Sequence, residues 1–267
     1  MERLEKIKKE NSDVTVILSI FKRPYNLEEQ IKAVENQTIK PKEIIVINNG
    51  CFFPTPQWVK DKYTVIENNV NFGVWFRFTV ALNATTKYVN IIDDDTMPGS
   101  KWIENCLNES EKKRWLYGTI GCIYWLNKPW RAKRGNDKKE RKEHYYSHTR
   151  VGWANPNKVT EEVDLIWHSR FFEKEFLSKA YFAEPMDVWD YYCWEDMRFT
   201  YTLQKYMWLW SYVPPHPPTD LEMRWSKKWR ELWTKDSSWS LNGKWDNDIY
   251  DLFYQKIRKK WFRCLMD

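Results

Sequence analysis

Paired cysteines, long apolar runs and glycine-rich loops are all missing from this 267-residue chain. Cys51, Cys106, Cys122, Cys193 and Cys264 are an odd number, widely scattered and without a Cys-x-x-Cys pair, which excludes a zinc ribbon and a disulfide framework and leaves reduced thiols as the expectation. No apolar run approaches the roughly 20 residues needed to span a bilayer, so no transmembrane segment is expected. The start, MERLEKIKKENSD, alternates charges where a secretory leader would have an apolar centre. A soluble, cytoplasmic protein is therefore expected. There is no phosphate-cradling glycine loop, no Ser-His-Asp or Cys-His arrangement, and no internal repeat. The formal charge of +6 sits mainly in residues 131–144 and 256–260. These read as a solvated loop and the polar face of a last helix, and with no recognisable binding module beside them no nucleic-acid partner is expected. Sequons at Asn36, Asn83 and Asn108 carry little weight without a leader.

What the chain does have is aromatic: 18 Trp, 15 Tyr and 13 Phe. Such side chains fill cores, and they also make flat platforms with a polar edge, suited to the CH faces of sugars. The apolar pattern supplies the architecture. VTVILSI (residues 14–20) reads as a buried strand, NLEEQIKAVENQ as an amphipathic helix with Leu27, Ile31 and Val34 on one face, and KEIIVINNG as a second strand. CFFPTPQW reads as a proline-bounded loop, YTVIE as a third strand, FRFTVALNAT as a helix and KYVNII as a fourth strand ending at Asp93. Strand alternating with helix is the signature of an α/β doubly wound sheet, whose ligands bind beyond the carboxyl ends of the strands. Those ends are Ser19 to Arg23, Asn48 to Gly50 and Asp93 to Asp95, and all are polar. The second half reads as strands at YGTIGCIYW and VDLIWHSRFF, a helix near residues 174–179, a helix EDMRFTYTLQKY, a turn VPPHPPTD and a helix from about Asp248. It is expected to continue the same sheet and face a second substrate.

Asp93, Asp94 and Asp95 repel one another at a strand end unless a cation or a solvated turn relieves them. Mg²⁺ and Mn²⁺ favour carboxylate oxygens and keep positions open for phosphate. Capping of a helix beginning near Ser100 is the alternative, but one aspartate suffices for that. In CWEDMRF, Glu195 and Asp196 open a helix, where a carboxylate stays ionised and can act either as a proton acceptor or as part of an acidic first turn. His216, between prolines, is either a metal ligand or an exposed turn residue, and His168 either lines a pocket or belongs to the core.

The order of these motifs resembles the nucleotide-sugar half of GT-A glycosyltransferases of the family 2 type, over about residues 14–107. A pair of asparagines after the second strand, an arginine ahead of the triplet and a later Glu-Asp pair also make it similar to exostosin-like transferases. The resemblance implies a single GT-A domain with a mixed sheet, residues 1–107 holding the donor and 108–267, with the C-terminal helix, holding the acceptor. It implies Mn²⁺ or Mg²⁺ on Asp95 with Asp93, completed by His216 from a C-terminal loop; the Asp95 side chain is expected to face solvent and ligand, not core. It implies donor contacts from Ser19, Arg23, Asn48, Asn49, Arg77, Asp93 and Asp94, with Asp196 as catalytic base and Glu195 orienting acceptor hydroxyls. The expected partners are a nucleotide-sugar donor, UDP-linked, and a glycan, glycoprotein or glycolipid acceptor. Asn48 and Asn49 stand where many family 2 members have an aspartate that grips the uracil, which bears on base preference. A catalytically silent glycan-binding module is the alternative; a two-metal nucleotidyltransferase is disfavoured for want of a further carboxylate on an adjacent strand. The polar stretch Arg131 to His144 is expected to act as a lid.

Overall fold

The structure is a computed structural model and describes residues 12–21, 23–51, 53–126, 146–152, 156–185, 195–223 and 248–266. The proposed lid at 131–144 lies outside them. The first half alternates as its pattern predicts: β1 (Ser12–Ile20), α1 (Leu27–Glu35), β2 (Pro41–Asn49), α2 (Gln57–Lys62), β3 (Thr64–Asn68), α3 (Phe76–Ala81) and β4 (Tyr88–Ile92). The loop expected from CFFPTPQW gives way to α2 at its end, because Pro56 sets the backbone just ahead of the first turn. Next come α4 (Trp102–Lys112), β5 (Leu116–Leu126), β6 (Tyr146–Val151), β7 (Glu161–Val163), β8 (Leu165–Glu173), α5 (Phe176–Phe182), α6 (Glu195–Met207), β9 (Ser211–Val213) and α7 (Asp248–Lys260).

The strands form one sheet in the order β3-β2-β1-β4-β8-β5-β9-β7, with β6 paired to β5. β1 to β4 are parallel, whereas β8 runs antiparallel to both β4 and β5. The second half thus continues the first sheet, and the molecule is one mixed α/β domain.

Strand period two sorts the apolar side chains onto two faces. Val14, Val16, Leu18 and Ile20 pack with Leu27, Ile31 and Val34 of α1 and with Trp102, Ile103 and Cys106 of α4. Ile17, Ile45, Val89 and Ile91 pack on the other face with Phe78 of α3, Phe176 of α5, and Phe199 and Leu203 of α6. Both faces of the parallel strands are covered, as parallel sheets require. A third cluster joins Tyr124 and Leu165 to Met197 and Tyr201 of α6 and to Tyr254 and Ile257 of α7. Many of the aromatics are core, Trp75 and Trp102 among them, while Trp58 and Trp208 are exposed. Cys51, Cys106, Cys122 and Cys264 are free thiols, as expected.

The helical layer is tied together at Glu184. Its carboxylate accepts from Tyr201 Oη at 2.7 Å, Lys205 Nζ at 2.7 Å, Tyr206 Oη at 2.8 Å and Lys260 Nζ at 2.8 Å. Partial burial would raise this carboxyl, but the bonds from Lys205, Lys260 and the two tyrosines outweigh it and hold it well below the usual carboxylate range. A carboxyl whose folded value is depressed stabilises the fold above its unfolded value of about 4.3 and ceases to do so as the pH falls. We therefore predict that Glu184→Gln loses about 1–3 kcal/mol at pH 7 in urea unfolding. The gap to the unaltered chain should narrow as the pH falls toward about 3; a gap that does not change with pH would contradict this.

Candidate active site

The site is built where β8 meets β4. Ile92 pairs with Ser169 and Ile91 with Arg170, so the antiparallel run lays the middle of β8 alongside the end of β4. Asp93 N then donates to His168 O at 2.9 Å. On the other side of β8, Gly118 pairs with Arg170 and Ile120 with Trp167, so His168 and Ser169 lie opposite the single residue Thr119, a bulge. His168 takes up the bulge with a left-handed φ of +68°. The bend re-aims its ring toward Asp95, placing Nδ1 3.5 Å from Asp95 Oδ1.

The aspartate turn is gripped from below by polar side chains of the first helical segment. Asn26 Nδ2 donates to Asp94 O at 2.8 Å, and Gln30 Nε2 donates to the carbonyls of Asp93 and Thr96, both at 2.7 Å. Three guanidiniums then face the carboxylates. Arg23 Nη1 reaches Asp94 Oδ1 at 2.6 Å and Asp95 Oδ2 at 3.3 Å. Arg77, 16 residues before Asp93, donates to Asp93 Oδ1 and to Glu195 Oε1. Arg170 donates to Asp93 Oδ1 at 3.1 Å, lies 3.6 Å from Glu195 Oε1, and pairs with Asp196 Oδ1. Glu195 and Asp196 open α6, whose first turn suits negative charge.

Five carboxylates thus confront three guanidiniums, a formal excess of two negative charges. The strain appears in the protonation equilibria. Burial works against ionisation of Asp93, yet Arg77 and Arg170 overcome it and keep that carboxyl below its ordinary value. Asp94 is pushed up to about 7 by burial, which Arg23 opposes and the charges of Asp95 and Asp93 reinforce.

Among the described residues, one group has the donors for a metal ion: Asp93, Asp95 and His168, whose ligand atoms all lie within 4.8 Å of one another. Two oxygens and an imidazole suit Mn²⁺, and the excess negative charge matches a divalent ion. His216, expected from the resemblance to finish the shell, is not among these three. His216 is fully buried, stacked on Trp102 with ring centroids 5.9 Å apart and planes at 5°, and its Nδ1 lies 3.3 Å from Asn157 Oδ1. The flanking prolines fold the turn inward against α4, and Gly152 at φ +86° lies so close that a Cβ there would come within 2.9 Å of His216 Nδ1. Asp95 is likewise 8% exposed, held by Arg23, and does not face open solvent.

The other predicted donor residues divide. Arg23, Arg77, Asp93, Asp94 and Asp95 come together with Glu195 and Asp196. Asn48 Nδ2 donates to Phe53 O at 2.8 Å and Thr55 Oγ1 at 2.9 Å, while Asn49 Nδ2 donates to Asn71 Oδ1 at 2.9 Å and Gly73 O at 3.1 Å. Both amides hold loops beyond β2. Ser19 sits half-buried near the end of β1. Arg170 was missed as a site residue; a lone arginine inside an apolar strand pattern was the available cue, since a buried charge needs partners.

A sequence model described as Glycosyl transferase family 2 matches residues 15–178. The chain belongs to glycosyl transferase family 2. The match takes in Arg23, Arg77, the aspartate triplet, His168 and Arg170, and ends before Glu195. Among solved structures, a mannosyltransferase from Pyrobaculum calidifontis in complex with GDP-mannose and Mn²⁺ is similar with a TM-score of 0.51 and 16% identity, over 78% of this chain and 56% of that chain. TarS from S. aureus is similar with a TM-score of 0.45 and 12% identity, over 76% of this chain and 60% of that one. The first likeness supports the GT-A fold. This chain spans less than two thirds of the length of either structure. No curated protein matches it in sequence. Among the described residues no helix is long and apolar enough to cross a membrane.

The two histidines separate by experiment. His168→Ala should weaken Mn²⁺ binding, followed by electron paramagnetic resonance, by at least about tenfold, with the fold kept. His216→Ala should leave Mn²⁺ binding unchanged and lower the melting temperature, because it removes the ring stacked on Trp102. A reversed pattern would contradict the geometry.

Proposed function

We propose that this family 2 domain moves a glycosyl group from a nucleoside-diphosphate sugar, UDP-linked, to a hydroxyl of a glycan, glycoprotein or glycolipid. Residues 1–107 would serve the donor and residues 108–267 the acceptor. The observation that carries the reading is the charge imbalance at the strand end: carboxylates exceed guanidiniums by two, beside three groups able to ligate a divalent ion. Asp93, Asp95 and His168 would hold Mn²⁺ or Mg²⁺. When bound, the ion would neutralise the charge developing on the leaving diphosphate.

The remaining chemistry falls to side chains of this chain. Asp196, at the opening of α6, accepts the proton of the acceptor hydroxyl as that oxygen bonds to the anomeric carbon and the carbon-to-phosphate oxygen bond breaks, its electron pair leaving with the diphosphate. Glu195, oriented by Arg77, holds the acceptor. Arg23 keeps Asp94 and Asp95 together at the end of β4. The loops held by Asn48 and Asn49 are the elements nearest the β2 end that could meet the base. With Asn48 and Asn49 standing where an aspartate would grip uracil, and with a fold neighbour solved with GDP-mannose, UDP is to be tested against GDP.

Two substitutions divide donor handling from acceptor activation. Asp95→Asn should abolish the Mn²⁺-dependent part of UDP affinity in calorimetry while leaving the fold intact, since Arg23 retains Asp94. Asp196→Asn should bind UDP normally but lower transfer by about 10² to 10⁴. Equal loss of UDP affinity in the second variant would place Asp196 in the donor site, and full transfer would reduce it to an acidic first-turn residue.

A further inference from the structure

Arg170 stands apart from the other charged residues of the site. Its side chain is 1% exposed, against 13% for Arg77 and 6% for Arg23, and it rises from the middle of β8 instead of from a loop or helix. Ile91 flanks it on β4 and Gly118 on β5, so two neighbouring strands fix its backbone. Its guanidinium lies 5.8 Å from the centroid of the buried Phe78 ring, at the same distance as that of Arg77. Burial and the neighbouring Arg77 both work against its charge, while Asp93 and Glu195 work for it, and the net effect lowers its pKa. A cation so placed persists only because carboxylates from two parts of the fold converge on it.

Those carboxylates have different parts in the proposed reaction. Nη1 holds Asp93 on the donor side at 3.1 Å, and Nη2 pairs with Asp196 and lies 3.6 Å from Glu195 on the acceptor side. The planar fork of arginine presents donors in fixed relative directions, so a group held at one nitrogen is set in direction relative to a group held at the other. α6 enters the site through its first turn, where Asp196 lies on a helix and not on a strand of the sheet. Arg170 supplies that reference to the sheet.

From this we infer that Arg170 is a positioning residue: it fixes Asp196, the proposed proton acceptor, relative to Asp93 at the donor end of β4, and so aims acceptor activation at the bound donor. It touches neither donor nor acceptor in this role. The inference rests on the proposed function and adds to it a residue of the sheet that, beside the Arg77 bridge from Asp93 to Glu195, ties Asp196 to the donor side of the site.

The test is a double-mutant cycle on the full chain, read as nucleoside diphosphate released by slow hydrolysis of UDP-sugars and GDP-mannose with Mn²⁺, and as UDP affinity by calorimetry. Arg170→Lys keeps the charge and loses the fork; Arg170→Met is a second variant, to be used if it folds. We expect Arg170→Lys to bind UDP within about threefold of the unaltered chain and to lower turnover by about 10². In an Asp196→Asn background the same substitution should lower turnover by less than about threefold, because the group it positions is already disabled. Full turnover in Arg170→Lys would overturn the inference. So would additive losses, or turnover and UDP affinity falling together with the melting temperature, either of which would mark a structural charge pair. If the unaltered chain hydrolyses no donor in the panel, the proposed function fails and takes this inference with it; if it does hydrolyse and the cycle is additive, this inference alone fails.

Discussion

The site depends on one contact, the buried guanidinium of Arg170 against the half-buried carboxylate of Asp93. It exists because β8 lies antiparallel beside β4, which sets a residue of the second half next to the carboxyl end of a strand from the first. Buried charges are costly to desolvate, and replacing such a pair with apolar residues is often neutral or stabilising. The pair is therefore poorly explained as a device for stability. Its consequence is organisational: with Arg170 fixed at the sheet, Asp196 and Glu195 are drawn to the end of β4, and the bulge opposite Thr119 turns His168 toward Asp95.

Sheet and site are linked through charge as well as through geometry. A parallel sheet buried on both faces leaves only its strand ends for chemistry. Here the ends of β1 and β4 are crosslinked by Arg23, Asn26 and Gln30, so the aspartate turn is held by its carbonyls and its carboxylates together. Holding the turn there has a cost, visible in the Asp94 carboxyl, which burial raises and the charges of Asp95 and Asp93 raise further. A site whose carboxylates formally outnumber its guanidiniums by two is one that a divalent ion would complete, which is why the cluster is suited to a metal and a diphosphate.

Much of this was legible in the amino-acid sequence wherever the controlling interaction is local. Apolar runs with period two or 3.6 marked β1, α1, β2 and β4, and three aspartates after a buried strand marked the site. Glu195 and Asp196 stood out as an acidic helix start. What could not be read depends on contacts distant in sequence. His168 and His216 had similar local cues, a histidine among apolar or proline residues, and only the bulge in β8 and the packing of the proline turn on Trp102 separate them. Asn48 and Asn49 mark the end of β2 in the sequence, and the loops around Phe53 and Gly73 that their amides hold are contacts the local pattern does not name. Arg170 was hidden because its partners are 77 and 26 residues away, and nothing in HSRFF names them.

The central claim, that the carboxylates at the end of β4 take a metal and a nucleotide sugar together, is tested most directly by incubating the unaltered protein with a panel of UDP- and GDP-linked sugars and measuring release of nucleoside diphosphate with Mn²⁺ and with a chelator. The account predicts release from at least one donor in Mn²⁺ and its loss in the chelator. No release from any donor, or release at the same rate in both conditions, would contradict it.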